Sequence, residues 1–208
     1  MTGEPTVSSD LVVDVRFFLA PPDLRQYITA FCLINFTAPA GAMIPDALLP
    51  EWGNLRFFNG VAPDAWFEGG DRLSGSHFVA TGPSTACVHF CQGTTRLWGV
   101  GLLPLGWAQF IRAPAADMAN RLVDGTTHPA FAHFSPLLTQ LHQQPHDIEA
   151  ELDRFVAFFR DRNRRAHRDQ QRIEAIHAAI DYRLDRIVAG SAAVLPTMLP
   201  PFASIHWT

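Results

Sequence analysis

The sequence predicts an α+β chain, an antiparallel β part followed by helices, and three observations point there. From Leu11 to about Leu103 short apolar runs rich in Phe, Val, Ile and Trp alternate with Gly, Pro and Asp breaks, the punctuation of a compact antiparallel sheet protein. Beyond Pro104 the apolar period lengthens to that of helices, and near Asp147 a sustained amphipathic stripe begins. The composition, 48% apolar and 17% charged, is that of a folded chain. Its 208 residues suit one domain plus an appendage better than two full domains.

In chain order, Pro21-Pro22 opens a helix with Asp23 in its first turn and Leu24, Tyr27, Ile28 and Phe31 at helical spacing. Strands follow at Phe31 to Phe36, Asn54 to Phe58, Ala65 to Phe67, His77 to Thr81, Ala86 to Cys91 and Arg96 to Leu102. Trp107, Phe110 and Ile111 then share a helix face, Pro114 opens a short helix carrying Met118 and Leu122 that ends at Gly125, and Ser135-Pro136 starts a third that Pro145 closes. From Asp147, the side chains of Ile148, Leu152, Phe155, Val156 and Phe159 form the clearest stripe, and Ile173, Ile176, Ile180, Leu184 and Ile187 form another. The expected organisation is a mostly β domain with packed short helices over residues 1–144, a long helix and a further helix over 145–187, and an irregular tail over 188–208.

Between the two stripes Arg160, Arg162, Arg164, Arg165, Arg168 and Arg172 crowd together, either a solvated linker or a phosphate-contacting segment. The whole chain carries a net charge of −4 and a pI of about 6.1, so it offers nucleic acid no global attraction. All 16 basic residues are Arg, which removes Schiff-base and phosphate-loop lysine chemistry. With three cysteines, an N-terminus unlike a signal peptide and no apolar run long enough to span a bilayer, a cytoplasmic protein without membrane contact is expected.

Cys87, His89 and Cys91 alternate along one strand, but side chains about 7 Å apart in a row do not converge on a metal. The other histidines lack metal-ligand spacing: Pro145 breaks the helix that would align His142 with His146. There is no nucleophile elbow around Ser74 and Ser76, and no paired carboxylates on a regular element. No catalytic residue, metal or cofactor is therefore expected. The ligand-binding candidates are Arg56, which anchors an anion if its strand face looks inward and is a solvated arginine if outward, His89, as a hydrogen-bonding group inside a sandwich, and Trp98, as a pocket wall.

The segment Thr95 to Gly125 resembles the end of the N-terminal domain in one branch of AraC-type transcription regulators, through Trp98, Gly99, Val100, Pro104, Gly106, Trp107, Pro114, Ala115, Asp124 and Gly125. Leu24, Tyr27, Ile28 and Phe31, and Pro50-Glu51 before the Leu55 to Phe58 strand, fit the same pattern. The resemblance implies a cupin-like β sandwich or barrel that binds a small-molecule effector, forms a homodimer, or both. It implies dimer contacts through Ile148, Leu152, Phe155 and Phe159. DNA is a partner only where a complete C-terminal half is present, and residues 188–208 do not look like the recognition helices of that half. Two alternatives stand beside it: a small cupin-like enzyme, and a truncated regulator that pairs with and inhibits a full-length relative.

Overall fold

Antiparallel pairing organises the first part of the chain. In the computed structural model, which describes residues 11–163 and 167–180, one unit runs from Met1 to Arg168 and a second from Asp169 to Thr208. The first unit carries β1 (Val12–Phe18), β2 (Ile28–Thr37), β3 (Ile44–Leu48), β4 (Asn54–Gly60), β5 (Asp64–Phe67), β6 (Arg72–Ser74), β7 (Phe78–Thr81), β8 (Val88–Gln92), β9 (Thr95–Leu102) and β10 (Leu122–Asp124). They form a larger sheet in the order β1-β2-β9-β4-β7-β10 and a smaller one in the order β3-β8-β5-β6. The helices of this unit are α1 (Pro104–Phe110), α2 (Ser135–Gln140) and α3 (Ile148–Arg162). The α+β class and the antiparallel sandwich expected from the sequence are present.

The larger sheet is apolar on both faces. One face packs on the smaller sheet through Phe58, Val79, Leu97 and Leu122, met by Ala65, Phe67 and Val88. The other holds Phe31, Leu33, Leu55, Phe57, Phe78, Trp98 and Val100, all fully buried. Helix α3 covers that second face: the Phe155 ring lies 5.2 Å from Phe31, 5.8 Å from Phe57 and 5.6 Å from Trp98 between centroids, and Phe159 lies 4.9 Å from Phe110. Rings at these distances and angles gain beyond their buried area.

Several local expectations hold. Asp147 caps α3, its carboxylate accepting the Ala150 N–H at 3.1 Å, the interaction that makes Asp an N-terminal residue of choice. Prolines stand in the first turns of α1 and α2, as Pro104 and Pro136. Gly106 is required by a close approach: a Cβ there would stand 1.9 Å from the Tyr27 carbonyl oxygen.

Four differ. The segment after Pro21-Pro22 makes only a helical turn, with Leu24 N–H on the Pro21 carbonyl at 2.8 Å and Ile28 N–H on the Leu24 carbonyl at 3.0 Å. Ile28 then begins β2, whose β-branched and aromatic run pairs with β1 and β9. Pro114 opens a single 3-10 turn, Ala115–Met118, and Leu122 lies in β10 opposite Thr81 instead of extending a helix. The expected boundary after Gln144 is also corrected: α3 is part of the first unit, because its apolar stripe is the lid of the larger sheet and not a linker. Strands β1, β3 and β6 lie where no element was expected: β3 and β6 are short or carry breaks such as Pro45 and Asp46, and in β1 the charged Asp14 and Arg16 interrupt the apolar residues.

In the second unit residues 170–180 are helical, where the second stripe was expected to begin, and Ile176 and Ile180 are exposed. Leu184, Ile187 and the tail over 188–208 lie outside the described residues. Among the described residues no helix is long and apolar enough to cross a membrane.

Candidate functional site

The two sheets of the first unit part to leave a cavity of about 220 Å³. Its walls are Ile34, Phe36, Phe58, Val79 and Leu97 from the larger sheet and Leu48, Ala65, Val88 and Phe90 from the smaller. It reaches Val13 on edge strand β1 and Asp46 on edge strand β3, both exposed. It is thus open to solvent between the two edges. Its polar groups are few: Asp46, Arg56, Thr81 and Gln92.

Arg56 and Thr81 form one built polar end. Arg56 alternates with the fully buried Leu55 and Phe57 and so shares the cavity face with Phe58. Its side chain is 13% exposed. One guanidinium nitrogen, Nη1, donates to Thr81 Oγ1 at 3.0 Å, while Nη2 pairs with Glu51 Oε1. Asn54 Nδ2 donates to the second Glu51 oxygen at 3.2 Å, and Thr81 Oγ1 donates to the Asn54 carbonyl at 3.3 Å. Asn54 Oδ1 is buried without a protein partner. Because Glu51 offsets the Arg56 charge, this end presents hydrogen-bonding groups rather than a bare cation. Cys32 feels the same pair of charges. Burial pushes its thiol up to about 11, with Arg56 working against the rise and Glu51 with it, so it is a neutral thiol near pH 7 and not a nucleophile.

Of the three ligand-binding candidates, Arg56 alone lines the cavity. His89 does not: Val88, Phe90 and Gln92 take the inward positions of β8, so His89 and Cys91 project from the outer side of the smaller sheet. There His89 stacks on Trp66 at 5.8 Å, and Arg72 stands 5.0 Å above the same indole. Trp98 faces the helical layer, where its Nε1–H donates to Glu151 Oε2 at 2.8 Å. The expected dimer stripe is also taken up internally. Phe155 and Phe159 are fully buried, Ile148 and Leu152 half-buried, so the aromatic side chains that were to meet a partner helix meet the chain's own sheet.

Glu151 was not singled out in the sequence, although its place on the stripe one turn before Phe155 marks it as a carboxylate on a buried face. It is fully buried, paired with Arg96 Nη2, and accepts from Trp98 Nε1 at 2.8 Å; His146 Nδ1 stands at 2.9 Å from its other oxygen. Burial pushes its carboxyl up, but the hydrogen bonds from Arg96, Trp98 and His146 outweigh that and hold it below the usual range. Beside this group His142 contacts the Phe57 carbonyl through Nε2 at 3.2 Å, and burial brings it down to about 4. A second, polar concavity of about 370 Å³ is lined by Gln109, Arg112, His133 and Arg162 among others.

Among the described residues no three His, Cys, Asp or Glu side chains are grouped so that they could hold a metal ion. All three cysteines are free thiols. No protein-family model matches the chain, and no curated protein matches it.

Proposed function

We propose that this chain is a regulatory binding domain of the AraC type whose sandwich cavity takes a small, mostly apolar effector. The cavity itself carries the proposal: apolar walls around one polar end made by Arg56 and Thr81, the usual composition of a small-molecule site. At about 220 Å³ it falls below the roughly 300–1,000 Å³ of drug-sized sites, so the effector is small. Its polar group is neutral, a hydroxyl, carbonyl or amide, because a carboxylate would have to compete with Glu51 for Arg56 in a partly desolvated site. The free thiols suit a reducing cytoplasm. DNA is read only where a complete recognition half accompanies this domain.

Thermal unfolding in the presence of small alcohols, ketones, amides and carboxylates tests the proposal. A neutral, apolar binder held at about 100 times its Kd stabilises the fold by about 2.7 kcal/mol, a rise of several degrees in Tm. Ala65→Phe fills the cavity from the wall opposite Phe58 and should abolish the rise while the protein stays folded. No ligand-dependent rise, or a rise that survives Ala65→Phe, rejects the cavity as the site.

A further inference from the structure

Among the described residues the larger sheet ends at β1, which pairs with β2 on one side only. Around it Leu11, Val12, Val13, Val15, Phe17 and Leu19 are exposed, from 43% at Val15 to 62% at Leu19. Edge strands are ordinarily blunted by lysine, proline, a bulge or a covering element. This one has no proline and no lysine, and its seven residues pair with β2 without a break in register. Its two charges, Asp14 and Arg16, flank Val15 symmetrically on one face, Arg16 Nε donating to Asp14 at 3.2 Å and Asn35 Nδ2 to the same oxygen at 3.2 Å.

We propose that β1 is a self-pairing edge through which two copies of this chain join, antiparallel, about a twofold axis at Val15. Charge complementarity selects this occupant and this register. With Val15 opposite Val15, each Asp14 stands across from Arg16 of the second copy, and each Val13 across from Phe17. Centring the pair on Asp14 or on Arg16 would instead oppose like charges, which destabilises cross-strand pairs. The pairing satisfies the open N–H and C=O groups of both edges and gives the exposed apolar residues cover, so one sheet runs through both copies. It uses a surface separate from α3 and shares Val13 with the cavity wall.

Sedimentation equilibrium of the full chain across the micromolar range tests it. The unaltered protein should show a concentration-dependent dimer. D14R and R16D alone should each weaken self-association roughly tenfold, because each sets like charges opposite one another in two symmetric pairs. Both positions are about half exposed, so the variants should keep the fold, which near-UV circular dichroism checks. An equimolar mixture of D14R and R16D should associate as tightly as the unaltered chain, since in the mixed pair every charge again meets its opposite. A monomer throughout the range, as when another segment of the same chain covers the edge, overturns the proposal. So does a dimer indifferent to both substitutions, or a mixture no tighter than its components.

Discussion

Replacing Glu151 by Gln removes one charge and almost no volume from the place where α3 meets the larger sheet. The carboxylate is fully buried and the Arg96 side chain only 13% exposed, so the guanidinium would be left largely out of water with no opposite charge. Arg96 Nη1 already lacks a protein partner, and the amide would supply an acceptor for Arg96 or Trp98 without the charge. Breaking a buried pair from one side costs about 3–5 kcal/mol. The lower end, about 3 kcal/mol, applies because Arg96 keeps some access to solvent and the amide keeps part of the hydrogen bonding. For a domain with a total stability of about 5–15 kcal/mol, that is a large share. Urea unfolding followed by tryptophan fluorescence and far-UV circular dichroism should show a lower midpoint at unchanged slope. The double variant Arg96→Met with Glu151→Leu should lose less than the sum of its two single changes, by about 1 kcal/mol or more, since it removes both charges together. A Glu151→Gln loss under about 0.5 kcal/mol, or strict additivity in the cycle, would refute the view that this pair is buried and mutually dependent.

Phe155→Ala and Phe159→Ala should each destabilise the protein by about 3–5 kcal/mol, because both rings are fully buried against Phe31; retained stability with a lower solution mass would return them to a dimer interface. Stability should also fall as the pH drops from about 6.5 toward 4. Burial holds His133 and His142 down to about 4, while unfolded imidazoles titrate near 6.5, so in that window the unfolded chain binds more protons and folding weakens. Each contributes at most about 1.4 kcal/mol per pH unit, and less where solvent reaches the imidazole, since both are only partly buried. Urea midpoints measured from pH 7 to pH 4.5 should decline, and His142→Gln should flatten the decline; a flat profile in the unaltered protein contradicts it.

The order of β before helical structure, the start of α3 near Asp147 and the proline starts of α1 and α2 were legible in the sequence, because each depends on neighbours within a turn or two. So was the burial of Phe155 and Phe159, which share one stripe. What covered them was not. A helical stripe states that a face avoids water and leaves open whether a partner or the chain's own sheet covers it, and here the answer comes from Phe31, Phe57 and Trp98, far away in the chain. The direction of Arg56 was undecided for a related reason. Period-two alternation reveals a strand's inner side only when the other side is wet, and β4 is apolar on both faces, with Leu55 and Phe57 toward the helices and Phe58 toward the cavity. His89 went astray in the same way, since a row of Cys and His and a row of Val, Phe and Gln can each face inward. Composition and local period determined which segments are strands and helices and which of their faces leave water. Only long-range pairing, which sets β4 between β9 and β7 and lays α3 on one side of them and the smaller sheet on the other, decided which of those faces encloses a cavity, because that depends on what packs there and not on the strand itself.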